Sequence, residues 1–127
     1  MASVQELLTE ARRLDLSTSE GRFRLGDLAE ALRREHPAAA DLFDRLAIDL
    51  EVDRDAITEA WFVAAAFPPA TRRFGLPWTT YLILRFHPER HDLVDRAASA
   101  GWDQNRIQQE LTARFTAHHH SPPDQSV

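Results

Sequence analysis

The chain has 127 residues, 43% of them hydrophobic, enough for one domain or two very small ones with a real core. Its 15 basic residues, all arginine, face 20 acids, and the resulting net charge of -5 excludes coating of nucleic acid by bulk charge, so any DNA contact must be local. With no cysteine, disulfide frameworks, thiolate zinc sites and cysteine nucleophiles are excluded together. The longest apolar run, Ala60 to Phe67, is far short of the ~18 residues that span a bilayer. Glu6 and Glu10 stand where a secretory leader would be basic and then apolar, so the expectation is a soluble, cytoplasmic protein with no membrane partner.

Apolar residues repeat at helical spacing nearly throughout, which predicts an all-α fold: a compact bundle of seven or eight helices. The first helix is expected from Val4 to Leu14, with Ser3 as N-cap and Glu6 completing a capping box. Asp15 to Gly21 reads as loop, and Arg24 to Glu35 as a second helix that ends at His36 because Pro37 disfavours helical backbone before it. Ala39, Leu42, Phe43, Leu46, Ala47 and Leu50 line a third helix stopping near Glu51; Asp53 caps a fourth, which Phe67-Pro68-Pro69 closes. A short helical turn at Ala70 to Arg73 precedes a break at Gly75. Pro77 suits the first position of the next helix, whose apolar stripe is Trp78, Leu82, Ile83 and Phe86. Pro88 opens a helix that Gly101 stops, and Asp103 caps a last one with Ile107, Leu111 and Phe115 inward. The expected organisation is an N-terminal helical region (1–69), a C-terminal region (70–116) and a disordered tail (117–127), too poor in apolar residues to offset ordering entropy.

Two segments have helix-turn-helix spacing: a small residue where the helices cross, a tight turn four residues on, and an aliphatic plug six further. Ala97, Gly101 and Ile107 fill these places in one copy. Leu46, Ala47, Leu50, Val52, Ile57 and Ala60 fill the same set in the other, with Glu51 at the glycine position, where left-handed backbone would be demanded of a side-chain-bearing residue.

Phe67-Pro68, Arg72 and Arg73, then Gly75-Leu76-Pro77-Trp78-Thr79 and Ala97 through Trp102 make the stretch from Arg24 to Phe115 resemble helix-turn-helix regulators of actinobacteria and their phages and plasmids, immunity repressors and partition-type proteins among them. The resemblance implies sequence-specific binding of double-stranded DNA and transcriptional repression.

Side chains that helical phase turns outward separate the two copies. The last helix offers Gln104, Asn105, Arg106, Gln108, Gln109 and Thr112, whose amides and guanidinium suit adenine and guanine edges in the major groove. Arg72, Arg73, Arg85, Arg90 and Arg96, with Thr79, Thr80 and Tyr81, are the expected phosphate contacts. The first copy offers Arg54, Thr58 and Phe62 beside Asp55 and Glu59, a surface for packing, a partner or a second DNA contact. Between 41 and 59 seven acids outnumber two arginines, whereas between 69 and 117 seven arginines face five acids.

Competing readings remain. Surface arginines can pair with neighbouring carboxylates, and a Gln/Asn-rich helix can simply solvate one face. Trp61, Trp78 and Trp102 are expected in the core rather than around a ligand. His87 and His91 stand four apart without a third ligand in view, and His118 to His120 lie in the tail, so no metal is expected. No glycine-rich phosphate loop and no activated nucleophile is recognisable, and neither cofactor nor enzymatic activity is expected. A single DNA-reading module holds weakly, which predicts a homodimer on a two-fold site or use of the first copy on an adjacent half-site. The rival reading is a protein-interaction module, an adaptor or antirepressor using the acidic first half.

Overall fold

The Ser3 hydroxyl accepts a hydrogen bond from the Glu6 amide at 3.1 Å and starts α1 (Val4–Arg12). The computed structural model describes residues 2–39, 41–73 and 75–119, with side chains through Arg114. After α1 come α2 (Ser19–Glu35), α3 (Leu42–Leu50), α4 (Arg54–Ala66), a 3-10 turn (Pro69–Thr71), α5 (Trp78–Leu84), α6 (Arg90–Ala100) and α7 (Gln104–His119). The fold is all-α, a compact bundle of seven helices, and no strand occurs among the described residues. Nor is any helix among them long and apolar enough to cross a membrane.

Several boundaries differ from the sequence expectation for identifiable reasons. α2 starts at Ser19, inside the segment read as loop, because the Thr18 hydroxyl accepts from the Gly21 amide at 3.0 Å and caps the helix there. α1 ends two residues early at Arg12, and α3 begins at Leu42 rather than Ala39. Pro77 is the N-cap of α5, not its first helical residue, with extended backbone at φ -69° and ψ 153°. Phe86 falls beyond the end of α5 and is 80% exposed, so it belongs to no apolar stripe. α7 continues to His119, into the segment read as tail. Residues 120–127, the remainder of that tail, and the inward position expected for the Phe115 side chain lie outside what is described.

Two apolar clusters form the interior. The first gathers Leu7, Leu8, Leu28, Leu32, Leu46 and Ile57 from α1 to α4; the second gathers Phe67, Tyr81, Leu84, Leu93, Val94 and Ile107. α2 and α4 serve both, because Phe23 and Val63 belong to the second cluster. A boundary at 69 therefore marks a change in charge, not a break in the core. α2 and α4 touch at backbone range: a Cβ on Gly26 would lie 2.2 Å from the Ala60 carbonyl oxygen and 2.7 Å from the Ala64 Cβ. Trp61, Trp78 and Trp102 are half-buried against these clusters.

Candidate nucleic-acid interface

Both segments with helix-turn-helix spacing fold as two helices joined by three residues, and their turns are near-copies. Ala47, Glu51, Asp53 and Ile57 correspond to Ala97, Gly101, Asp103 and Ile107, an offset of fifty residues. Glu51 has φ 55° and ψ 44°, Gly101 φ 66° and ψ 39°, both left-handed. The next amide closes back on the crossing alanine, Val52 to the Ala47 carbonyl and Trp102 to the Ala97 carbonyl, each at 3.0 Å. Ile57 and Ile107 are buried as the plugs that hold the second helices down. Glu51 is the one non-glycine residue with positive φ among those described, so its carboxylate side chain occupies the position where the second copy uses glycine. The caps differ: Asp103 Oδ1 accepts from the Arg106 amide at 2.8 Å, while the Asp53 side chain makes no cap bond.

α7 is anchored along one side and open along the other. Ile107 is buried, Leu111 packs on the second cluster, and Gln104 Nε2 donates to the buried Thr80 hydroxyl at 3.1 Å. Further along, the Arg114 guanidinium lies 2.9 Å from Glu89, 3.5 Å from Asp92 and 3.1 Å from Glu110, clasping α7 to the start of α6. Burial opposes the Arg114 charge, but its hydrogen bonds to Glu89 and Glu110 prevail and raise its pKa. The open side carries Asn105, Gln108, Gln109 and Thr112, all exposed and spaced i, i+3, i+4, i+7, hence one stripe of uncharged hydrogen-bonding groups. Arg106 flanks the stripe, stacked 5.1 Å above the Trp102 ring and 3.6 Å from Glu110. Of the six expected base readers, Gln104 alone is turned inward, as an anchor.

The expected phosphate contacts divide more sharply. Thr80 and Tyr81 are fully buried and have no surface to offer DNA. The Tyr81 hydroxyl accepts from the Arg73 amide at 2.9 Å and donates to the Arg73 carbonyl at 2.7 Å, and burial pushes the phenol above its usual 10.0. Arg72 is likewise spent inside the fold, on Asp27, Phe67 and Ala64. Thr80, Tyr81 and Arg72 are therefore not phosphate contacts as expected from the sequence, because long-range packing turns each of them inward. Arg73 pairs with Asp95 at 2.7 Å and Arg96 with Asp92 at 2.9 Å, on the surface in both cases. Arg85 and Arg90 donate to backbone carbonyls of Leu82 and Ala66, and Thr79 is exposed.

In the first unit Arg54 stands 3.5 Å from Asp44, and the Thr58 hydroxyl bonds back to the Arg54 carbonyl. Phe62 is 53% exposed with its ring 5.0 Å from that of Trp61. Glu51, Asp53, Asp55 and Glu59 line an open acidic cleft at the start of α4. His87 Nδ1 accepts from the Glu89 amide, while the His91 ring packs edge-on to Phe67. Arg114 was not singled out by sequence reasoning, although its i, i+4 spacing from Glu110 was available as a signal.

Comparison of the chain with family models, with curated proteins and with solved structures finds no match.

Proposed function

We propose that the protein binds double-stranded DNA sequence-specifically, with α7 as the reading helix, and acts as a repressor by occupying its operator. The observation that carries this reading is the exposed stripe of Asn105, Gln108, Gln109 and Thr112 on the second helix of a helix-turn-helix, held by the left-handed Gly101 turn and the buried Ile107. Carboxamides present a donor and an acceptor side by side, the pattern that pairs with adenine N6 and N7 in the major groove. Arg106 is placed for a guanine edge or a phosphate. Thr79, Arg73, Arg85, Arg90 and Arg96 remain as phosphate contacts, with Arg73 and Arg96 exchanging carboxylate for phosphate on binding. One module of this size holds weakly, so a homodimer presenting two α7 helices completes the reading. The resemblance to phage-type immunity repressors supports the regulatory part.

A second reading is favoured by the first unit, where acids crowd the start of α4 and Phe62 stands exposed: a protein-interaction module with no DNA ligand. Selection of the full chain against a random duplex library at ~150 mM salt, where non-specific binding is weak, separates the two. An enriched palindrome supports the dimeric DNA reader. Failure to enrich any sequence overturns DNA reading in favour of the interaction module.

A further inference from the structure

The end of α2, the loop that follows it, and helices α3 and α4 enclose a slot of about 280 Å³ that has no part in the proposed DNA face. Leu42, Phe43 and Trp61 wall it, with Arg33, His36 and Arg54 at its edge. The volume is close to the ~300 Å³ lower bound of ordinary ligand pockets, and the mix of mostly apolar wall with a few polar groups is typical of them.

The walls are held in place from behind. Trp61 Nε1 donates to the Glu30 carboxylate, the Arg33 guanidinium lies 5.3 Å over the indole, and the Phe43 ring meets it edge-on at 5.5 Å and 77°. The edge has donors to spare. Arg33 spends Nε and Nη2 on Glu30, leaving Nη1 without a protein acceptor among the described residues. Arg54 is tied only loosely, Nε to Asp44 at 3.5 Å, and its more than half-exposed guanidinium makes no hydrogen bond through its terminal nitrogens among the described residues. An apolar slot edged by unused guanidinium N–H groups suits an apolar body ending in an anion. Glu30 and Asp44 sit beside the same two arginines, so a phosphate dianion would meet two carboxylates, while a monoanion meets less repulsion.

We propose that this slot binds a small organic acid, a single aromatic ring bearing a carboxylate, with the ring against the slot-facing sides of Leu42, Phe43 and Trp61 and the carboxylate on the free N–H groups of Arg54 and Arg33. The site lies between the end of α2 and the first helix-turn-helix unit and does not depend on what α7 binds.

The test uses the full chain labelled with nitrogen-15, whose three tryptophans give three indole N–H signals. Trp61→Phe assigns the one that matters. Titration with phenylacetate should move the Trp61 signal saturably and leave those of Trp78 and Trp102 in place. Phenylacetamide, which keeps the ring and loses the charge, should bind about tenfold more weakly, and Arg54→Gln should weaken phenylacetate similarly. Since the amide comparison is made on the unaltered protein, it stands even if a variant folds poorly. Absence of a saturable Trp61 shift up to ~20 mM phenylacetate, equal movement of all three signals, or equal affinity for the amide would each overturn the proposal.

Discussion

Arg72 and Asp27 face each other through two parallel hydrogen bonds of 2.8 and 2.9 Å, joining the segment after the 3-10 turn to the middle of α2. The same guanidinium donates to the Phe67 carbonyl at 2.7 Å and lies 4.3 Å over the Phe23 ring, with 16% of its side chain exposed. Arg72 thus ties the end of α4 and the segment after it to α2, at the edge of the second cluster. Arg72→Ala is expected to lower the unfolding free energy by about 2–3 kcal/mol, because the carbonyls and Asp27 lose a charged donor in a half-buried place. Urea unfolding measures this; a loss under about 0.5 kcal/mol, the size of an ordinary surface change, would contradict the assignment.

If the α7 stripe reads bases, Asn105→Ala and Gln108→Ala should each cost about 1–3 kcal/mol on the selected sequence, relax one position of it, and leave binding to random DNA nearly unchanged. Arg96→Ala should instead weaken all sequences alike and reduce the salt slope by about one. Equal losses on selected and random duplexes for Asn105 and Gln108 would refute base reading by this face.

The paired turns at Glu51 and Gly101 allow a reciprocal test. Left-handed backbone costs a residue with a Cβ roughly 1 kcal/mol relative to glycine. Glu51→Gly should therefore stabilise the protein by about 1 kcal/mol, and Gly101→Ala should destabilise it by about as much. No atom lies within 4 Å of a Cβ built on Gly101, so the second change reports backbone strain alone. Both are readable as opposite shifts in the urea midpoint with unchanged slope.

At Gly26 the obstacle is contact instead of conformation. A methyl group there would sit 2.2 Å from the Ala60 carbonyl oxygen, and a backbone atom cannot rotate aside as a side chain can. Gly26→Ala should force α2 and α4 apart and cost about 3 kcal/mol, at the upper end of overpacking effects, despite alanine's better helix propensity. Thermal unfolding monitored by far-UV circular dichroism gives the answer; a neutral or stabilising result would mean the two helices are not this close.

Glu30 ties acid sensitivity to the Trp61 wall. Its carboxyl is held below the usual 4.5, first by the Trp61 indole N–H and then by Arg33. A depressed folded-state pKa means that the contribution to stability is complete above the unfolded value and disappears as pH falls through the folded one. Glu30→Gln should thus lower stability at pH 7 and make its decline below about pH 4.5 shallower than in the unaltered protein. Urea midpoints at a series of pH values between about 3 and 7 test the sign; parallel curves for the two proteins would argue against it.

The sequence by itself determined the all-α class, the order of the helices and both helix-turn-helix turns, including the left-handed backbone demanded at Glu51. These features depend on residues within a few positions of one another: apolar spacing, capping side chains, the alanine four residues before each turn and the aliphatic plug six after it. The outward stripe from Asn105 to Thr112 was legible for the same reason, since helical phase alone assigns its side. Only the tertiary structure decided which polar residues were free to act. Arg72 met Asp27 forty-five residues away, and Gln104 met Thr80 twenty-four away, while Tyr81 closed on the Arg73 backbone inside the core. Arginine, threonine and tyrosine look alike in a sequence whether they face water or a distant buried partner. A buried polar group must find its hydrogen bonds within the fold, and which helix supplies them is a property of packing across the chain, not of local pattern.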